Sequence, residues 1–222
     1  MKKRCRIVVL LLIASICCDV YAQSSFHEFT PGRSILGFNI DFLDDGEILG
    51  GTLRYAISKS ASADFSVGVG LFDEQGGFTF PPAPTAGIAI GRAEKLGQTQ
   101  LGYFSYIGVG ASTVRGVDSQ TNQVVRTALS LGPSASVGVF KPLDLSGNLI
   151  VSPFFGLSYT YLWTTAGVNY SDLDLRKTTE AGDFSGLLGI EFEFSPRFGM
   201  MMGLDFSFDE SETIFFMGVN FY

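Results

Sequence analysis

Along most of this chain, bulky apolar residues occupy every second position. Leu36, Phe38, Ile40 and Phe42 alternate with Gly37, Asn39 and Asp41. Leu53, Tyr55 and Ile57 alternate with Thr52, Arg54, Ala56 and Ser58, and Phe65, Val67, Val69 and Leu71 with Ser66, Gly68 and Gly70. A period of two sends successive side chains to opposite faces of a pleated strand. Each stretch therefore predicts a strand with one large apolar face and one small or polar face.

The same alternation returns to the end of the chain. Residues 85–94 form a weaker segment around Ile88 and Ile90. In 101–113, Leu101, Tyr103, Ile107 and Val109 share a face, with Phe104 and Tyr106 on the other. Val125, Leu129, Leu131, Val137 and Val139 oppose Arg126, Ser130, Gly132, Ser134, Ser136 and Gly138. The clearest cases come last: Phe155–Trp163, Leu188–Phe194, Met200–Phe208 and Phe215–Phe221. About ten strands result, each of the length that a tilted transmembrane strand needs. Eight is the alternative, with 85–94 not spanning.

Connections alternate in length. Short links are expected near Lys59–Ala63, Glu94–Gln100, Leu143–Asn148 and Ser195–Arg197. Longer loops are expected at Asp73–Thr85, Arg115–Asn122 and Thr164–Asp183, with short exceptions at Asp44–Glu47 and Asp209–Glu212. Short turns at one end and long loops at the other are the asymmetry of a transmembrane barrel, with both termini on the short-turn side.

A soluble barrel or sandwich alternates too, but its outer face is rich in Lys and Glu. Here the second face is Gly, Ser, Thr and Ala with isolated charges, which suits a narrow lumen with lipid outside. Aromatic residues also gather at both strand ends: Phe42, Tyr159, Tyr161, Trp163, Phe206 and Phe208 at one, Phe192, Phe194, Phe198, Phe221 and Tyr222 at the other. Two such bands are expected at the two headgroup levels of a bilayer. The predicted fold is an all-β, closed, antiparallel, up-and-down transmembrane barrel over residues 33–222.

Composition sharpens this. Mean hydropathy is +0.28 and aromatics make up 14% of the chain, yet past the N-terminus no apolar run reaches the 18 residues of a membrane helix. A closed sheet is the remaining way to cross lipid with every backbone group paired. Residues 1–22 read as a cleaved signal peptide. Lys2, Lys3, Arg4 and Arg6 precede the apolar run Ile7–Ile16, and Val20-Tyr21-Ala22 offers small residues to a peptidase cutting between Ala22 and Gln23. Residues 23–32 would be a periplasmic tail.

Cys5, Cys17 and Cys18 all fall in that leader, so the mature chain has no thiol chemistry. Without the leader, 11 basic and 21 acidic side chains remain, a net charge of −10. That balance excludes a nucleic-acid partner.

The leader, the glycine-rich alternating strands and the final strand ending Gly218-Val-Asn-Phe221-Tyr222 resemble the small outer-membrane β-barrels, the OmpA/OmpX-like barrel domain. The resemblance is architectural and covers the mature chain. It implies insertion in outer-membrane lipid, most simply as a monomer, and recognition of the C-terminal strand by a barrel assembly machinery. No further domain is expected after the barrel.

Candidate chemistry is sparse. The one histidine, His27, lies in the expected tail, so the general base of acyl transfer or hydrolysis is missing. No cofactor and no metal site are expected; Asp172, Asp174 and Asp183 read as a solvated acidic loop. The lumen-facing charges are of more interest. Asp41, Arg126 and Asp205 fall in the loop-side half of the strands, and Arg54, Glu191 and Glu193 lower. They are expected to form an internal polar network, with Asp41 and Arg126 meeting across the lumen, since an unpaired charge there is costly. The network would either close the barrel or line a narrow channel. Phe78, Phe80, Pro81 and Pro82 make an apolar, proline-stiffened segment that either folds over the mouth or contacts an extracellular ligand. The function expected is that of a non-catalytic outer-membrane anchor or surface-interaction barrel, with a porin-like channel as the alternative.

Overall fold

A computed structural model describes residues 30–96, 100–145, 149–170, 173–208 and 213–222, with backbone alone at 168–170 and 173–175. The strands are β1 (Ser34–Leu43), β2 (Gly46–Ala56), β3 (Ala61–Gln75), β4 (Phe78–Lys95), β5 (Gly102–Asp118) and β6 (Val124–Phe140). A two-residue β7 (Leu143–Asp144) is followed by β8 (Ile150–Tyr170), β9 (Leu173–Ser195), β10 (Phe198–Ser207) and β11 (Thr213–Phe221).

Neighbours in sequence pair antiparallel, β6 pairs with β8, and β1 pairs with β11 from Leu36–Phe221 to Phe42–Phe215. The sheet thus closes on itself as a ten-strand barrel. β7 lies outside the ring and pairs only with the foot of β8. Closure leaves no edge strand in the ring, the condition for a sheet in hydrocarbon.

The expected inside–outside assignment holds. Outward side chains are heavily exposed: Val67 at 67%, Ile90 at 63% and Ile107 at 70%. Their intervening partners Ser66, Ala89 and Tyr106 are buried. An apolar outer surface of this extent is incompatible with water and matches lipid. It is bounded by two aromatic belts. At the short-turn end Phe192, Phe194, Phe198, Phe221 and Phe38 follow one another with ring centroids 5.6–6.4 Å apart. At the other end Tyr161 and Trp163 are 4.9 Å apart, and Phe206, Phe208 and Phe184 are linked at 5.3 and 5.4 Å.

The long loops require correction. The weak segment 85–94 is the lower half of a full strand, β4. Asp73–Thr85 is a hairpin, not a loop, turning at Gly76 and Gly77 with φ of +59° and +82°. Thr164–Asp183 is likewise the top of the β8–β9 hairpin, laddered from Thr164–Thr179 to Tyr170–Leu173, and Arg115–Asp118 completes β5. The strands simply continue beyond the membrane. The wall is uneven as a result: β8 and β9 run for 21 and 23 residues, but β1 and β10 for only 10 each.

Candidate functional site: the lumen

The lower lumen, at the end that carries the short turns, is crossed by side chains from four sides of the barrel. Arg54 on β2 and Asp64 on β3 are register partners. They form a two-pronged ion pair, Nε to Oδ1 at 2.9 Å and Nη2 to Oδ2 at 2.6 Å. Both side chains are buried. The planar fork of Arg matches a carboxylate in this manner.

The same guanidinium lies 5.7 Å from the ring centroid of Tyr106 on β5. Tyr106 neighbours Phe104 at 6.1 Å. Phe104 meets Phe154 of β8 edge-on at 6.3 Å, and Phe154 stacks on Phe216 of β11 at 6.5 Å. One chain of contacts therefore runs from β2 through β5 and β8 to β11.

Glycines make room for these rings. A Cβ at Gly91 would stand in the ring of Tyr106, and one at Gly203 in the ring of Phe216. Phe140, Phe154 and Phe104 lie over Gly102, Gly189 and Gly138 in the same way. Leu162, Leu187 and Met201 complete the buried cluster. Each of these five rings thus lies over a glycine of a neighbouring strand.

The sequence-selected charges are distributed as follows. Arg54 sits in the ion pair. Glu191 is buried and accepts a hydrogen bond from the Tyr222 hydroxyl at 3.2 Å. Glu193 lies at the foot of β9, opposite Ile150 and Gly199. Asp205 is buried higher up and takes a hydrogen bond from Ser185. Its neighbour Asp183 accepts one from Ser207 at 2.6 Å. Asp41 is buried and accepts from Asn39 at 3.2 Å.

Arg126 does not meet Asp41. It is exposed at the rim, with its guanidinium 4.6 Å from the ring centroid of Phe78. Strand β6 rises too far above β1 for the two to face each other. The charges thus lie in separate places: Arg54 and Glu191 low, Asp41, Asp183 and Asp205 higher, and Arg126 at the mouth.

In the 78–82 segment, Phe80 packs with Phe72 against the lumen cluster, whereas Pro81 and Pro82 are exposed. The prolines bulge β4, whose ladder with β5 is irregular between Thr79 and Thr85. Ala22, Gln23, His27 and Asp172 lie outside the described residues. Asp64 was the lumen charge not singled out from sequence, although its parity with Ser66 and Gly68 places it on the small face. Among the described residues, no group of three or more His, Cys, Asp or Glu side chains is arranged to hold a metal ion.

No family model matches the sequence, nor does any curated protein. Solved structures do. The translocator domain of the autotransporter NalP from Neisseria meningitidis matches with a TM-score of 0.50 at 11% identity, over 85% of this chain and 86% of that one. The outer membrane protein AlkL, in lipid bilayers, gives 0.43 at 14% identity over 90% and 93%. The N-terminal β-barrel domain of Pseudomonas aeruginosa OprF gives 0.39 at 9% identity over 86% and 97%. At such identities the likeness is one of fold. With its apolar exterior, twin aromatic belts and closed antiparallel sheet, the chain has the fold of a transmembrane β-barrel, in a ten-strand form.

Proposed function

We propose that this protein is a non-catalytic outer-membrane barrel whose lumen is sealed, serving as a stable anchor that holds its tall hairpins outside the cell. The observation that carries the reading is the contact chain Arg54–Tyr106–Phe104–Phe154–Phe216, which joins four sides of the barrel across the lumen. Rings packed around a paired charge support a lumen without a continuous path for hydrated ions. The absence of enzymatic activity rests on the sequence: His27 is the sole histidine, and no cysteine follows Cys18. The short-turn end would face the periplasm and the β3–β4, β5–β6 and β8–β9 hairpins the exterior.

Planar-bilayer recording of the purified barrel tests the sealed lumen. The expected trace has no steady unitary openings. Regular openings of fixed amplitude would overturn the reading and favour a narrow, porin-like channel.

A further inference from the structure

Within the bilayer the ring of strands is closed, but above it the wall ends in an open side. β10 pairs with β9 only as far as Ser207–Ser185, and the last bond between them runs from the Phe208 amide to the Phe184 carbonyl at 2.9 Å. β9 continues upward along β8 to Leu173–Tyr170 without a register shift. From Asp183 to Lys177, a rise of about 20 Å, no strand lies against its other edge among the described residues.

The Phe208 bond fixes what this edge offers. Phe184 turns its carbonyl toward β10, and in a regular antiparallel strand every second residue does the same. Gly182, Glu180 and Thr178 therefore direct both N–H and C=O to the open side, while Thr179 and Ala181 turn theirs to β8. The Thr165 and Thr178 hydroxyls lie 3.2 Å apart, as fits a cross-strand pair that shares no backbone bond, where side chains stand closest.

Exposed edges are ordinarily kept short, broken by proline or twisted away by a bulge. The other flank of the tall sector follows that rule: β3 outruns β2 only by Asp73–Gln75, and the Asp73 amide is taken by the Asp45 carbonyl at 3.0 Å. β9 has no proline and no bulge against β8. Lys177 and Asp183 stand at the two ends of its open stretch, and the Tyr161 hydroxyl draws the Glu180 carboxylate aside at 2.6 Å. The middle is flanked by threonine, alanine and glycine, which put no bulk in the way of a further strand.

The chain itself holds nothing long enough to cover this edge. Residues 209–212 join Phe208 to Thr213, which pairs with Phe206; going out and back, they climb no more than about 9 Å. Residues 171–172 only bridge β8 to β9, and residues 1–29, 97–99 and 146–148 join the strands at the opposite, short-turn end. Two copies inserted the same way in one bilayer carry β9 in the same direction, so their edges cannot meet as an antiparallel ladder. We propose that the β9 edge from Lys177 to Asp183 docks an extended, proline-free segment of another protein, which adds to the sheet through the backbone groups of Thr178, Glu180 and Gly182. Access to the edge rests on the reading of the tall hairpins as standing outside the bilayer; the seal of the lumen does not bear on it.

The test uses the full barrel in phosphatidylcholine nanodiscs and a fluorescein-labelled heptapeptide of alternating threonine and valine with a lysine at each end. Fluorescence anisotropy is expected to saturate, and the same peptide N-methylated at every residue, which keeps its side chains but loses its donors, is expected to bind at least tenfold more weakly. At saturation the Thr178, Glu180 and Gly182 amides are expected to gain protection against hydrogen exchange, while Thr179 and Ala181, already turned to β8, stay as they were. Thr178→Pro removes one donor from the edge and none from the β8 ladder, and is expected to weaken binding at least tenfold; Thr178→Ala is expected to keep it. Cold-versus-boiled gel mobility establishes that each variant is a folded barrel, and the exchange pattern of the native chain decides the matter should the proline variant fail to assemble. No saturable binding up to millimolar peptide would overturn the proposal, as would equal binding of the methylated peptide. Undiminished binding by folded Thr178→Pro, or protection gained at other amides instead, would overturn it too. Loss of peptide binding in discs that hold two barrels would give the edge to a second copy, and so would also overturn it.

Discussion

Arg54 and Asp64 illustrate how a membrane barrel tolerates charge. Each would be costly alone in the lumen, and together they satisfy one another with two hydrogen bonds. Removing one partner strands the other. Asp64→Leu is expected to destabilise the barrel by about 3–5 kcal/mol, and Arg54→Met/Asp64→Leu by clearly less than the sum of the single changes. Urea titration of tryptophan emission in lipid vesicles measures both; strict additivity would remove the pair from the plug. Strand parity alone placed Arg54 inside. The partnership was also within reach of the sequence, since a hairpin turning at 57–60 sets Asp64 directly opposite Arg54. The aromatic plug was harder to foresee. Phe154, Phe216 and Phe140 sit on the face that otherwise carries small residues, and their fit depends on glycines of neighbouring strands that a single strand's pattern does not reveal.

At the level of the strand, alternation proved sufficient inside the membrane and silent beyond it. Between the belts one face meets lipid and the other the lumen, so period two is enforced by two different solvents. Above the outer belt both faces of β8 and β9 meet water. Residues 176–183 accordingly read as polar without period, and so as a loop. In Phe78–Thr85 the prolines hid the strand. Inside the belts, the assignment makes a sharp statement: Val67→Arg, outward and near mid-bilayer, is expected to cost about 2–4 kcal/mol, measured as a shift in the same urea midpoint.

The β5–β6 turn supplies a pH-dependent element outside the membrane. The Asp118 carboxylate accepts from the Thr121 and Gln120 amides at 2.8 and 3.0 Å, and Asn122 takes φ of +57°. The Thr121 amide above all holds the Asp118 carboxyl below its ordinary value. A depressed folded value means the stabilisation is complete above the ordinary carboxyl range, about pH 3.9, and fades as pH falls through the lower folded value. The protection of the Gln120 and Thr121 amides against exchange, relative to the intrinsic rate at each pH, should therefore fall on acidification in the native chain, and show no such dependence in Asp118→Asn.

For the molecule as a whole, the reading of residues 1–22 as an export signal has a direct measurement. Protein isolated from outer membranes is expected to begin at Gln23, as intact mass or N-terminal sequencing would show; a chain retaining Met1 would mean that the segment is an uncut anchor. The uneven wall is the other whole-molecule property. Strands β3 to β6, β8 and β9 climb well above the bilayer while β1, β2, β10 and β11 stop near it, so the exterior surface is concentrated on one sector.

The pairing of β1 with β11 has a consequence for how the chain reaches the membrane. Residues nearly two hundred positions apart must clasp along a short ladder, Leu36–Phe221 to Phe42–Phe215, before the cylinder exists. Until the final strand arrives, the flanks of β1 and β10 present bare amides and carbonyls, each costing several kcal/mol in hydrocarbon. A ribosome that stops short of Thr213 therefore releases a ribbon that lipid rejects. Insertion and completion of the barrel are therefore expected to be coupled.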